Sequence, residues 1–246
     1  AEAALLAPGR HQRGAGRADQ QERVDPVERQ RHDRDRPALD QHAAGVRQVV
    51  ILGAGLDTRA VRKPSAGVRY FEIDDPATME LKRRCYADAR IDAGVTLISG
   101  DYVTDVLIYL LESSGFEFDV PTYLIWEGNV MYMPLATDKR TMLELKRYVK
   151  RFRLSFDYLT ESVIMKTTGN AGLTALVESF EAMRAPWLSG IDDIYSLARE
   201  VGLRVVESGI GGRGRESGGG VRQGCKLHGH SMHEKTRSYR TARSTS

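Results

Sequence analysis

Short apolar runs recur along the middle of the chain, and polar, turn-forming residues separate them. The first run covers residues 49–52 and ends at Gly53, and the second ends at Asp74. Runs of four to six residues that are rich in β-branched and aromatic side chains, bounded in this way, predict buried strands. We place strands at residues 49–52, 68–73, 95–98, 122–126, 154–158 and 203–206.

Longer segments between these runs carry apolar residues at helical spacing. One stripe within residues 102–113 consists of Val103, Val106, Leu107, Leu110 and Leu111. A stripe of this kind is typical of a helix that packs one face on a sheet. We place helices at residues 77–89, 102–113, 172–184 and 191–201, and a further helix that begins after Pro134, is capped near Thr137 and reaches Val149.

The alternation of strands and helices predicts an α/β fold. Its strands are continuously apolar, as in a mostly parallel, doubly wound sheet with helices on both faces. Three strands run into acids, Asp74, Asp101 and Glu127. Because the carboxyl ends of parallel strands meet at one edge, we expect these acids to share a crevice near the topological switch point.

Both ends of the chain differ in composition from the middle. No Ile, Phe, Tyr, Trp, Met or Lys occurs before Ile51, and Gly, Ser and Arg dominate after residue 210. Such segments bury too little apolar surface to offset the entropy of ordering. We therefore predict a poorly structured arm at 1–44, a folded core at 45–210 and a disordered basic tail at 211–246.

Charge and cysteine content narrow the classes of function. The formal net charge is +3, but the positive excess lies in the tail while residues 49–210 are net acidic. An acidic core argues against nucleic-acid binding. No stretch approaches the length of a membrane span. The two cysteines, Cys85 and Cys225, form no disulfide framework, which favours a cytoplasmic location.

The turn after the first strand is the main candidate for ligand binding. Gly53 and Gly55 let a ligand approach the backbone closely, since neither carries a Cβ. A dinucleotide fingerprint would have a third glycine, but Asp57 and Thr58 follow instead. A carboxylate there repels a diphosphate and attracts a cation. The turn thus fits the cationic S-adenosylmethionine better than a nicotinamide dinucleotide.

Each acid at a strand end has a candidate role toward such a cofactor. Asp74 lies about as far after Gly53 as an acid that binds ribose hydroxyls, with Glu72 as the alternative. Asp101 would lie near the adenine amino group or cap the next helix, and Tyr102 could pack against the adenine ring. Glu127 would face the methionine part of the ligand.

Histidine is confined to the two flanks, at His11, His32, His42, His228, His230 and His233. The core therefore offers no imidazole as a general base, which suits an acceptor that is already ionised, such as a carboxylate. Cys225, His228, His230 and His233 lie close together in the tail, but their spacing matches no familiar zinc site. We predict no metal.

Several motifs, in register, resemble the leucine carboxyl methyltransferase-like family, above all its bacterial S-adenosylmethionine-dependent members. They are VRQVVILGAGLDTRA, YFEIDDPATMELK, GDYVTD, PTYLIWEGNVMYM and FDY. The resemblance covers residues 45–160 strongly and 160–210 loosely. It implies a class I Rossmann-like methyltransferase fold. It also implies cofactor contacts at Gly53, Asp74, Asp101, Tyr102 and Glu127, and a substrate-pocket tyrosine at Tyr132.

The flanks depart from the family pattern. Residues 1–44 show no recognisable N-terminal helical region with its cofactor-binding arginine, which suggests the hypothesis of out-of-frame segments. We predict an S-adenosylmethionine-dependent methyltransferase that acts on a carboxylate or hydroxyl of a small molecule or peptide end. The alternatives are an NAD-dependent oxidoreductase and an inactive, cofactor-binding remnant of a methyltransferase.

Overall fold

The computed structural model describes residues 45–62, 64–92, 94–210 and 223–230. Predictions for residues 1–44, and for the tail at 211–222 and 231–246, lie outside the described residues. The compact unit that contains the sheet begins at Gly45. Its strands are β1 (Gln48–Leu52), β2 (Arg69–Asp74), β3 (Val95–Ser99), β4 (Thr122–Trp126), β5 (Arg151–Tyr158), β6 (Arg204–Ile210) and β7 (Gln223–His230).

The seven strands form one sheet in the order β3-β2-β1-β4-β5-β7-β6. Strands β1 to β5 pair in parallel, and β7 pairs antiparallel with both β5 and β6. Every residue of β1 and of β4 is buried, as the continuous apolar runs predicted. The mostly parallel α/β fold is thereby confirmed.

Helices connect the parallel strands and cover the sheet. They are α1 (Arg59–Arg62), α2 (Pro76–Asp88), α3 (Leu107–Ser113), α4 (Leu135–Tyr148), α5 (Glu161–Ile164), α6 (Ala171–Ala182) and α7 (Ile194–Glu200). The chain moves outward from β1 through β2 to β3, and then returns to the other side of β1 with β4. Because such crossovers are right-handed, this reversal places helices on opposite faces and opens a crevice beyond β1 and β4.

One helix start and one helix cap differ from the prediction. The helix expected from residue 102 begins at Leu107, because a side-chain turn at Asp101 occupies the residues before it. Helix α4 begins at Leu135, directly after Pro134 as expected, but Thr137 lies inside it rather than at its cap. Proline at the entry needs no N–H partner, so the helix can begin directly after it.

Strand β7 corrects the expectation of a disordered tail from residue 211. Cys225 and Leu227 are buried in the main core, and Lys226 between them pairs with Glu207 of β6 at 2.6 Å. This alternation buries one face of a segment whose overall composition is polar. The sheet therefore extends past residue 210. None of the helices in the described part of the chain is long and apolar enough to span a membrane.

Candidate functional site

The glycine turn lies at the carboxyl end of β1, where the strand order reverses. Gly53 and Gly55 both have positive φ, +62° and +48°, which glycine adopts without strain. A Cβ on Gly53 would lie 2.3 Å from the amide of Asn129, whereas one on Gly55 would meet nothing within 4 Å. Gly53 thus allows close packing inside the protein, and Gly55 leaves open space above the turn.

Asp74 ties the end of β2 to this turn. Its Oδ2 accepts the backbone N–H of Gly55 at 2.6 Å, and its Oδ1 accepts the N–H of Asp75 at 2.8 Å. Partial burial raises the pKa of Asp74, although both N–H donors oppose the rise. A carboxylate has about four acceptor sites, so these two bonds leave capacity for a ligand's hydroxyl groups.

Glu72, the alternative acid, lies inside β2 and does not reach this edge. Its carboxylate pairs with Nζ of Lys82 on α2 at 2.5 Å, and both side chains are completely buried. Burial raises the pKa of Glu72, and the lysine opposes that shift. Because side chains alternate along a strand, Glu72 points to the same face of β2 as Asp74. It lies two positions before the end of the strand, however, and therefore deeper in the core.

Asp101 follows β3 and organises a tight turn. Its carboxylate accepts the N–H of Val103 at 2.9 Å and the hydroxyl of Thr104 at 3.1 Å, while its own N–H donates to Asp105 at 3.0 Å. The side chain is exposed, at the same edge of the sheet as Asp74. Asp101 therefore caps a turn at the site and not a helix.

The ring of Tyr102 is placed differently from the expectation. It is only 7% exposed and packs edge-on against Trp126, whose Nε1 donates to the tyrosine hydroxyl at 3.1 Å. Burial raises the pKa of this hydroxyl well above its usual value. The ring lies in the main core, so the expectation that it packs against an adenine ring was wrong.

Glu127, directly after β4, is linked across the crevice to the glycine turn. Its Oε2 accepts from Nη2 of Arg59 at 2.8 Å, and Nε of the same arginine lies 2.7 Å from Oδ2 of Asp57. Asp57 also accepts the backbone N–H of Arg59 at 2.7 Å. Asp57, which stands where a dinucleotide fingerprint would not have an acid, therefore holds Arg59 against the end of β4.

Three residues of this edge were missed by the sequence reasoning. Arg59 is one, and Asn129 is another: its Nδ2 donates to the carbonyls of Gly53 at 3.1 Å and Glu127 at 2.9 Å. The third is Asp157 near the end of β5, which accepts the N–H of Gly128 at 2.6 Å. All three lie within the family-like motifs VRQVVILGAGLDTRA, PTYLIWEGNVMYM and FDY, and that position near the ends of apolar strands was the available signal.

Tyr132 lies beside the crevice, in a 3-10 turn (Val130–Tyr132) that follows Asn129. Its ring packs edge-on against Phe180 of α6, with centroids 6.3 Å apart. Both rings contact a second, smaller hydrophobic cluster that includes Met131 and Trp187. Tyr132 therefore stands between the strand ends and a helical segment that follows β5.

Two histidines expected in the flank belong to the sheet. His228 and His230 on β7 pair with Arg153 and Arg151, at the amino end of β5 and thus at the edge opposite the crevice. They are the only histidines among residues 45–62, 64–92, 94–210 and 223–230. Cys225 is buried, and the strand alternation puts His228 on the other face, so these two cannot share a metal.

The crevice combines close backbone approach with an excess of acids. Asp57, Asp74 and Glu127 contribute three carboxylates against the single guanidinium of Arg59. Such a set favours a ligand with hydroxyl groups and positive charge and disfavours a diphosphate. No group of three or more His, Cys, Asp or Glu side chains among the described residues could hold a metal ion.

Comparison with known proteins shows the family to which the chain belongs. The model of the leucine carboxyl methyltransferase family matches residues 8–145. The match starts well inside the 1–44 arm, so our expectation that the resemblance begins at residue 45 was wrong. The hypothesis of an out-of-frame arm was based on the lack of a family-like pattern in residues 1–44, and the match removes that argument.

Mycobacterial proteins are similar to part of the chain. A "Putative S-adenosyl-L-methionine-dependent methyltransferase" of Mycobacterium avium is 36% identical over 109 residues, which are 42% of this chain and 34% of that protein. A protein of the same name from Mycobacterium bovis is 41% identical over 101 residues, 40% of this chain and 33% of its own length. The chain thus matches about a third of the length of these curated relatives.

Solved structures share the architecture at low sequence identity. The magnesium protoporphyrin IX methyltransferase of Synechocystis PCC 6803 with bound SAH superposes with a TM-score of 0.55 at 12% identity. The superposition covers 86% of this chain and 90% of that one. At such low sequence identity the structural similarity shows only that the two chains share a fold, which is the class I methyltransferase fold.

Proposed function

Because this chain belongs to the leucine carboxyl methyltransferase family, we propose that it binds S-adenosylmethionine at the crevice beyond β1 and β4. We further propose that it methylates an oxygen of a small molecule or peptide end. The observation that carries the proposal is the hydrogen bond between Asp74 and Gly55, which joins the acid that we expect to bind the ribose to an open glycine turn. Both the methyltransferase activity and the chemical class of the acceptor belong to this proposal.

The residues at the crevice fit the cofactor part by part. Gly53 and Gly55 let the ligand lie against the backbone, and the ligand would occupy the open space next to Gly55. Asp74 has acceptor sites left for the ribose hydroxyls. Asp101, exposed beside it, would face the adenine amino group, with the backbone of Tyr102 next to it, and Glu127 would receive the methionine part.

The chain's contribution to the chemistry would be alignment. S-adenosylmethionine supplies, when bound, a methyl group on a positively charged sulfur that a nucleophile can attack. The protein holds the acceptor in line with that methyl group and excludes water. Acids on three sides of the crevice favour binding of the positively charged cofactor, and the turn that Asn129 holds at Gly53 fixes its position.

We propose a carboxylate as the acceptor because the described part of the chain offers no histidine at this edge to act as a base. Such a group is ionised at neutral pH and needs no base to attack a methyl group. The histidines of the described residues lie at the opposite edge of the sheet, on β7. We propose that Tyr132, whose ring packs against Phe180 of α6, contacts the acceptor.

Calorimetry on Asp74→Ala tests the cofactor site. We expect the variant to bind S-adenosylmethionine more weakly by about 1–3 kcal/mol, because the ribose loses its charged acceptor. Asp119→Ala is the control: Asp119 is exposed and precedes β4, so it lies at the other edge of the sheet. Equal affinity of Asp74→Ala and the wild type would remove Asp74 from the site.

The same titrations separate the alternative functions. Binding of NAD but not of S-adenosylmethionine would overturn the proposal in favour of an oxidoreductase. Binding of S-adenosylmethionine without methyl transfer to any acceptor would favour the inactive remnant.

Product chemistry identifies the acceptor class. With S-adenosylmethionine labelled in its methyl group and mixtures of carboxylates and alcohols, we expect a labelled product that releases volatile methanol in mild alkali. Methyl esters hydrolyse under these conditions and methyl ethers do not. An alkali-stable product would show that the acceptor is a hydroxyl group.

A further inference from the structure

An open groove lies between helices α3 and α4, and none of the residues that line it belongs to the crevice. Its volume is about 640 Å³, which is within the usual range for sites that bind small molecules. Three large apolar side chains of its lining are exposed, Val106 by 46%, Tyr109 by 58% and Leu143 by 48%. Ile108, which is buried, and Phe118, which is half-buried, extend this apolar surface.

The fold does not require these exposed side chains. Helix α3 packs on the main core through Leu107 and Leu111, and Tyr109 lies outside that stripe. In α4, Leu145 is completely buried, whereas Leu143 is on the side that faces solvent. A helix of this kind normally carries polar residues on its outer face. A contiguous apolar surface there is typical of a site that binds a ligand or a partner.

The charged residues of the lining are distributed unevenly along the groove. Arg140 lies in the second turn of α4 and contacts Val103, a few residues before α3. Glu144 lies one turn further along α4, and Glu112 lies near the end of α3. Arg147 follows in the last turn of α4. A ligand with a single negative charge is therefore attracted to the end at Arg140 and repelled by the two acids beyond it.

The guanidinium of Arg140 is held in place and still has donors for a ligand. Its Nη2 donates to the carbonyl of Val103 at 2.5 Å, which is its one hydrogen bond within the described part of the chain. The side chain is exposed, so its other N–H groups are open to an anion. A guanidinium matches a carboxylate in a bidentate geometry. The neighbouring Lys139, by contrast, pairs with Glu200 at 2.5 Å.

We propose that the groove between α3 and α4 binds a small amphipathic anion, a carboxylate with an apolar chain or ring, whose charged group lies at Arg140. The apolar part of the ligand covers Val106, Tyr109 and Leu143. This site is separate from the crevice, so it does not depend on the proposed function.

Three compounds that share one apolar chain test the class of ligand. At neutral pH decanoate is negative, decanol is neutral and decylamine is positive. On the full chain, each competes with anilinonaphthalene sulfonate, an apolar anion whose fluorescence increases when it is buried. We expect decanoate to displace this probe at a roughly 3- to 10-fold lower concentration than decanol, because it adds a partly exposed ion pair. Decylamine should be the weakest competitor.

Substitutions of Arg140 assign this preference to one residue. Arg140→Gln should weaken decanoate to the level of decanol and leave decanol unchanged, whereas Arg140→Lys keeps the charge and should retain part of the preference. The control is Arg84→Gln, because Arg84 is an exposed arginine on α2, outside the groove. It should behave like the wild type.

A substitution of Leu143 tests the apolar part of the site. Leu143→Ala should weaken decanoate and decanol alike, by roughly 3- to 10-fold, because less apolar surface is covered by the chain. Leu81→Ala is the matched control, since Leu81 is 42% exposed but lies on α2. Equal affinities of these two variants would show that the compounds bind elsewhere.

The remaining outcomes also decide the proposal. A wild type that binds neither the probe nor decanoate would overturn it, and so would equal competition by decanoate and decylamine, which indicates adsorption without regard to charge. Saturation with S-adenosylmethionine should leave the probe bound, and its release would place the probe in the crevice. An equal loss of decanoate and decanol in Arg140→Gln would show that the arginine only shapes the groove.

Discussion

Asp138 is fully buried in the first turn of α4. Its Oδ2 lies 3.5 Å from the hydroxyl oxygen of Ser189, and the carbonyl oxygen of Val130 lies 3.4 Å from the same hydroxyl, so the single serine proton is shared between two long contacts. Burial raises the pKa of Asp138 to about 8, and the weak bond to Ser189 opposes the rise only slightly. Its neutral form therefore dominates in the folded protein at neutral pH.

This shift makes stability fall with increasing pH. Because the folded state holds the proton to higher pH than the unfolded chain, Asp138 contributes its full stability only below the usual carboxyl pKa. The contribution is lost progressively as pH rises toward about 8. Asp138→Asn cannot ionise, so we expect its stability relative to the wild type to increase from pH 6 to pH 9.

Urea denaturation at pH 6, 7.5 and 9 measures this difference. Asp119→Asn, an exposed acid, provides the control and should show no such trend. A constant difference between Asp138→Asn and the wild type over this range would contradict the raised pKa.

At the scale of elements, β7 shows how a polar segment completes a sheet. Leu227 is completely buried and Cys225 nearly so, while Gly229 lies against the ring of Phe152, which a Cβ would meet at 2.4 Å. Only these three positions need to be small or apolar, because every second residue of the strand faces the core. The segment therefore belongs to the fold despite its composition.

Replacing Leu227 by alanine tests this placement. We expect a loss of about 2–5 kcal/mol in the free energy of unfolding, the usual cost of truncating a buried leucine. Val206→Ala on β6 is the matched control, because that side chain is 53% exposed and should cost far less. A Leu227→Ala protein as stable as the control would show that β7 does not pack on the core.

At the scale of the whole molecule, the sheet order decides what meets at the crevice. The reversal between β1 and β4 brings the glycine turn, Asp74 and Glu127 to one edge. The same order sends His228 and His230 to the opposite edge, through the antiparallel direction of β7. The acid-rich crevice and its proposed cationic ligand thus follow from topology as much as from residue type.

The sequence by itself determined the α/β class, the glycine turn and the acids that end β2, β3 and β4. These features follow from local periodicity and from the rule that parallel strands end at one edge. Only the tertiary structure decided that Glu72 turns to Lys82, that the ring of Tyr102 enters the core, and that β7 joins the sheet. It also decided that Arg59 reaches Glu127, 68 residues away. Such contacts depend on how separate elements pack against each other, and no local pattern of apolar and polar positions encodes them.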